Sequence, residues 1–261
     1  MNLMGQLENK LKRLKLGGIL HTLDEQLRQA ESDHRSHVEF LETILEDEIE
    51  RREAKKLDLR LSRAGFEEEK TLEGFNWSFN PTIPKKQLWD LAACHFIERH
   101  EHVLLVGQVG VGKTHLGQAL GHAACRKGFT TLFVKAKRML GHLAAGRADD
   151  TRDRRLRTYL LPDLLIVDDF GLRKLTIEQA DDFYDVVTER HLAGSMIVTS
   201  NRDLREWVAL FPDPVLGNSA MDRLAHNAHQ VVIKGPSFRK EMGPGGGESS
   251  SHQEGGDETA R

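Results

Sequence analysis

The 261 residues predict an α/β fold, a parallel sheet with helices on both faces, preceded by a small all-helical domain. Beyond residue 90, short apolar runs alternate with amphipathic stretches, the pattern of strands joined by helical crossovers. Before residue 70, leucine and isoleucine recur at helical spacing and no strand-like run interrupts them.

In the first domain (residues 1–70), Leu7, Leu11, Leu14, Ile19, Leu20, Leu23 and Leu27 form one helical stripe, with Gly17-Gly18 as a point where it can break. After a polar stretch at 31–36, a second stripe runs through Phe40, Leu41, Ile44, Leu45, Ile49, Leu57, Leu59 and Leu61. Charges of alternating sign fill the intervening positions, as on a solvated helix face. Such a domain either packs on the rest of the chain or contacts a partner. Residues 71–89 read as a connector: Phe75, Trp77 and Phe79 alternate with polar neighbours, and Pro81 and Pro84 exclude regular structure. These aromatics are expected to pack on a domain surface.

Residues 90–240 hold the α/β domain. A strand at 103–106 leads to a helix at 113–127, whose apolar stripe is Leu116, Ala119, Leu120, Ala123 and Ala124 and which Gly128 stops. A strand follows at 131–135. Residues 164–167 are four consecutive apolar side chains, the mark of a strand buried on both faces. Thr176 and Gln179 form a capping-box pattern that opens a helix, with Gly194 expected to end it. The last strands are 196–199 and 230–233. Residues 241–261 are mostly Gly, Ser and acid, and are expected to be a disordered tail.

The balance of 37 basic and 40 acidic residues excludes a chain coated in positive charge, yet leaves room for a local basic face. Lys135, Lys137, Arg138, Arg147, Arg152, Arg154, Arg155 and Arg157 cluster, diluted by Asp149, Asp150 and Asp153. They read equally as a DNA-facing patch or as a solvated mixed-charge helix. Cys94 and Cys125 have no zinc-like spacing and read as reduced core thiols. No run reaches membrane-spanning length and no signal-peptide core opens the chain, so no membrane association and a cytoplasmic location are expected.

Gly107, Gln108, Val109, Gly110, Val111, Gly112, Lys113 and Thr114 match G-x-x-x-x-G-K-[ST]. The glycines allow a turn that presses backbone N–H groups on phosphate oxygens. The loop opens into a helix N-terminus, which favours an anion. Lys113 is suited to the β- and γ-phosphates of ATP and Thr114 to Mg²⁺, with His115 completing the expected nucleotide contacts. Asp168 and Asp169 close an apolar strand, the Walker B pattern. Asp168 is placed to hold Mg²⁺ and Asp169 to activate the attacking water. Asn201 follows a buried strand and reads either as a group that positions that water or as a turn-forming amide.

The order of phosphate loop, acid pair, Asn201, Arg223 and Arg239 resembles the initiator branch of AAA+ ATPases, which includes DnaA, the DnaC helicase loaders and the IstB-like transposition helpers. The IstB-like group is the most similar. The likeness is carried by residues 75–83 (F-N-W-S-F-N-P-T-I), 96–116, 164–172, 197–202 and 211–239, the last containing F-P-D-P-V-L and M-D-R-L-A-H-N-A-H. The resemblance implies a five-stranded AAA+ sheet, nucleotide-dependent homo-oligomerisation on double-stranded DNA, recruitment of the transposase encoded by the same element, and help in choosing the target. It implies a sensor role for Asn201, an arginine finger in Arg223 acting on a neighbouring subunit, and a second sensor in Arg239. It makes the N-terminal domain a DNA- or partner-contacting module. Three features depart from the pattern: Asp169 where glutamate is usual, Gln108-Val109 where Pro-Pro is frequent, and the glycine-rich tail. A DnaC-like helicase loader is the alternative reading. A small-molecule P-loop kinase lacks an acceptor signature here.

Overall fold

A computed structural model describes residues 3–238; the expected disordered tail and Arg239 lie outside the described residues. The chain divides into two compact units, one ending at Arg60 and the other starting at Leu61.

In the first unit, α1 (Leu3–Arg13), a 3₁₀ turn at Ile19–His21, α2 (Leu23–Ser32) and α3 (His37–Ala64) follow the two predicted stripes. The first stripe breaks ahead of Gly18, where a Cβ would land on the Arg51 guanidinium. Arg51 and Arg52 both hold the buried Glu48, at 2.8 and 2.7 Å. Ile19, Leu23 and Ile44 form the small core, with Leu11, Leu20, Leu27 and Phe40 around it. Ser36 and Glu39 exchange reciprocal side-chain and backbone hydrogen bonds at the start of α3.

The second unit contains α4 (Lys85–Ala92), α5 (His95–Glu98), β1 (His102–Gly107), α6 (Lys113–Arg126), β2 (Thr131–Lys135), α7 (Ala136–Ala148), α8 (Arg152–Leu160), β3 (Leu164–Phe170), α9 (Ile177–Arg190), β4 (Ser195–Ser200), α10 (Pro214–His226) and β5 (Ala228–Ile233). The five strands pair in parallel in the order β2-β3-β4-β1-β5. Side chains along each strand alternate between two cores. Leu104, Val106, Leu165, Val167, Met196 and Val198 join the core that includes α7, α9 and α10. Val103, Leu105, Leu164, Ile166, Ile197 and Val231 join the core that includes α4 and α6. Burial on both faces accounts for the unbroken apolar runs in the sequence.

Three elements differ from the sequence reading. α4 begins at Lys85, directly after Pro84, inside the segment read as connector. β3 continues past Asp168 to Phe170, with its register to β4 broken between Val167 and Phe170. α9 ends at Arg190 rather than near Gly194, because His191 is extended and Leu192 takes φ +62°. Buried Arg190 then donates to the carbonyls of Tyr159, Leu160, Pro162, Asp163 and Ser195, pinning the start of β3 beside the start of β4. Among the described residues, no helix is long and apolar enough to cross a membrane.

Candidate functional site

The loop between β1 and α6 turns through left-handed backbone at Gly110 (φ +83°) and Gly112 (φ +97°), conformations that glycine adopts without penalty. Neither has room for a side chain: a Cβ would lie 2.1 Å from Ser237 Oγ at Gly110 and 2.9 Å from the Phe75 ring at Gly112. The loop therefore delivers its N–H groups and the start of the 14-residue helix α6 to one spot. Lys113 is buried, and its Nζ donates to the Gln108 carbonyl at 2.7 Å.

Facing this loop, Asp168 has no accessible surface. Thr114 Oγ1 donates to its two carboxylate oxygens at 3.0 and 3.2 Å. Burial pushes its carboxyl pKa up, and hydrogen bonds from Thr199 and Thr114 oppose the shift. A buried carboxylate beside a hydroxyl, both hard oxygen donors, suits Mg²⁺, which takes one or two carboxylates and completes its shell with phosphate and water. Thr114 and Asp168 would hold such an ion. Asp169 breaks the strand register with φ +58° and lines the cavity next to them.

The cavity, about 700 Å³, is lined by Lys113, Thr114, Asp169, Val109, His115 and Asn201, together with Asn76 and a wall of three phenylalanines, Phe75, Phe79 and Phe238. The phosphate loop and these aromatic side chains thus share one cavity. His115 bonds the Thr71 carbonyl through Nε2 at 3.0 Å and stands edge-on to Phe75, 4.9 Å between centroids. The wall has two sources in the chain. Phe79 meets Phe238 edge to face, 4.9 Å between centroids. Phe238 N–H donates to the Gly110 carbonyl at 3.0 Å, so the segment after β5 rests on the phosphate loop. Buried Asn80 ties the two together, its Nδ2 donating to the Lys234 carbonyl at 2.5 Å while its Oδ1 accepts from Thr82.

The geometry gathers Gly107–Thr114, His115, Asp168, Asp169 and Asn201 at the strands' C-terminal ends, and leaves Arg223 apart. Arg223, on α10, is not among the residues lining the cavity. Its guanidinium covers the Tyr184 ring at 5.1 Å and donates to the Tyr184 hydroxyl at 2.6 Å. The arginine cluster divides likewise. Arg147 and Arg152 pair with buried Asp182, and Arg155 binds Asp149 and the His142 carbonyl. Arg154 and Arg157 are exposed. Sequence reasoning missed Thr199, Asn80 and Phe238. All three carried a signal in the family-like stretches: Asn80, with Phe79, in F-N-W-S-F-N-P-T-I, Thr199 in 197–202 and Phe238 in 211–239.

Residues 9–243 match the family described as IstB-like ATP binding protein. The chain belongs to this family. This IstB-like chain is 46% identical over 240 residues to an insertion-sequence protein of Mycobacterium tuberculosis, provisionally named as ATP-binding, covering 92% of this chain and 96% of that one. It is 35% identical over 236 residues to the protein provisionally named as ATP-binding in insertion sequence IS21 of Pseudomonas aeruginosa, covering 90% and 89% of the two chains. Among solved structures it is similar to DnaI, with TM-score 0.56 and 20% identity over 63% of this chain and 91% of that one. It is also similar to AMPPCP-bound DnaA from Aquifex aeolicus, with TM-score 0.55 and 20% identity over 65% of this chain but 51% of that one. These likenesses show the fold alone, a five-stranded parallel sheet with flanking helices and a phosphate loop after its first strand.

Proposed function

We propose that this IstB-like chain binds ATP with Mg²⁺ and hydrolyses it, and that the nucleotide controls its assembly on double-stranded DNA. There it recruits or activates the transposase of its own insertion sequence and helps to select the target. The observation that carries the reading is that Lys113, Thr114 and Asp169 line one cavity at a helix N-terminus, with Thr114 bonded to the buried Asp168 carboxylate. The relatives named for insertion sequences supply the biological setting.

In this reading Lys113 leaves the Gln108 carbonyl for the β- and γ-phosphate oxygens, and the loop N–H groups bind the remaining oxygens. Thr114 and Asp168 would hold Mg²⁺, which would neutralise charge developing on the transferred phosphoryl group. Asp169 accepts the proton of the attacking water, and Asn201, which lines the cavity, orients that water. Arg223, held on α10 away from its own cavity, acts on a neighbouring subunit's nucleotide, and Arg239 on its own. Exposed Arg154 and Arg157, with Lys137 and Arg138, offer phosphate contacts to DNA. The N-terminal unit, with Val38, Leu41, Leu45 and Ile49 exposed along α3, contacts the partner or DNA.

The test compares purified wild type with Lys113→Ala on duplex DNA, with and without ATP and Mg²⁺, by sedimentation. Wild type assembles on DNA only with nucleotide. The variant loses nucleotide affinity by about a hundredfold or more, two charge-assisted contacts being removed, and stays dispersed. Assembly equal to wild type in the variant removes the phosphate loop from the account.

A further inference from the structure

Thr199 lies on β4, two residues before Asn201, with no accessible surface. Its hydroxyl donates to Asp168 Oδ1 at 2.6 Å and accepts the Asp169 N–H at 2.9 Å. Its methyl group faces α6, where a Cβ on Gly117 would stand 3.4 Å from Thr199 Cγ2. One side chain therefore touches the carboxylate of one acid, the backbone of the other, and the helix that carries Lys113 and Thr114.

The directions of these bonds follow from what each group can do. A backbone N–H only donates, so the Thr199 oxygen accepts from Asp169. The single hydroxyl hydrogen is then committed to Asp168 Oδ1, which fixes the plane of that carboxylate. Asp169 adopts left-handed backbone, costly for a residue with a side chain, at the point where the β3–β4 register breaks. A break in a ladder leaves an N–H in need of an acceptor, and in this buried place Thr199 supplies it.

We propose that Thr199 is a positioning residue that sets the metal-holding and water-activating acids together: its hydroxyl turns Asp168 toward Thr114, and its hold on the Asp169 N–H keeps that side chain aimed into the cavity. The assignment rests on the proposed nucleotide site. It gives the Thr199 hydroxyl a part in Mg²⁺-dependent nucleotide binding and in turnover, without any contact to the nucleotide itself.

Thr199→Val keeps the branched shape and removes the hydroxyl. Thr199→Ser keeps the hydroxyl and loses the methyl group that faces Gly117. Wild type and both variants are titrated with a fluorescent ATP analogue in Mg²⁺ and in EDTA, and phosphate release is measured at saturating ATP. In Thr199→Val, affinity in EDTA equals wild type, the gain on adding Mg²⁺ shrinks by about tenfold, and turnover falls by about a hundredfold. Thr199→Ser restores both to within about threefold. A valine variant with wild-type Mg²⁺ response and turnover overturns the assignment. So does equal loss of binding in EDTA and Mg²⁺, which marks a packing role, or failure of serine to rescue. Wild-type protein that binds the analogue in neither condition overturns the nucleotide reading instead.

Discussion

Asp169 combines a left-handed backbone, which disfavours side chains, with a side chain that lines the cavity. Replacing it with asparagine keeps shape and volume while removing the basic oxygen. We expect Asp169→Asn to bind ATP within about threefold of wild type and to lose turnover by about a hundredfold, read as phosphate release at saturating ATP. Undiminished turnover moves the water-activating role to another group. A second residue-scale prediction concerns His102, fully buried at the start of β1 with Nδ1 accepting the Met196 N–H at 3.1 Å. Burial, reinforced by Arg190 and His191, pulls its pKa from 6.5 to about 4. The unfolded chain therefore binds a proton that the folded chain refuses between those two values. The stability due to the neutral ring is present above pH 6.5 and is lost as the pH falls toward 4, by at most about 3 kcal/mol. Urea titrations across this window should show a shallower acid loss in His102→Asn; an identical slope excludes His102 as the proton acceptor. At this scale the sequence made Lys113, Thr114 and Asp168 legible, because the chemistry of phosphate and metal binding fixes residue type and spacing. Thr199 fell in the family-like stretch 197–202, but its role was hidden, since its partners sit on a neighbouring strand.

Among elements, the strands and α6 were readable because burial on two faces and a helical stripe leave strong periodic marks. The helices α7 and α10 were not, because mixed charges or small residues blur their stripes; the sequence of α8 reads either as a basic patch or as a mixed-charge helix, and it is held by ion pairs with α9 rather than by a clean apolar face. The connector was readable as an aromatic segment but not as a wall of the cavity, for that requires Lys234, 154 residues away from Asn80. Its role yields a prediction. Asn80→Ala frees the Phe79 segment from the segment bearing Phe238 and leaves the phosphate loop in place. ATP affinity should fall by about tenfold, while affinity for inorganic tripolyphosphate stays within about twofold, measured by competition against the fluorescent analogue. Equal losses for both ligands place the damage in the phosphate loop rather than the wall.

For the whole molecule, the separation of Arg223 from its own cavity makes a prediction about subunits. Arg223→Ala should lower ATPase activity on DNA, and Asp169→Asn, which still binds nucleotide and so still assembles, should all but abolish it. An equimolar mixture should recover toward about a quarter of the wild-type rate, the share of interfaces in which an intact cavity meets an intact Arg223. A mixture no more active than its components excludes action across subunits. The sequence prepared this reading only through family likeness, because a chain read alone contains no trace of which of its surfaces meets a second copy.

A parallel sheet places all its chemistry at one rim, and the opposite rim of this one is a convenient place for a reporter. The turn between α5 and β1 lies one strand length away, roughly 20 Å from the phosphate loop, and the Arg99 side chain there is 67% exposed. Both native cysteines are buried, and burial raises the Cys94 thiol to about 11, so little thiolate is present near neutral pH. A dye attached through Arg99→Cys therefore marks a single position away from the phosphate loop, and its signal tests whether subunits gather on DNA.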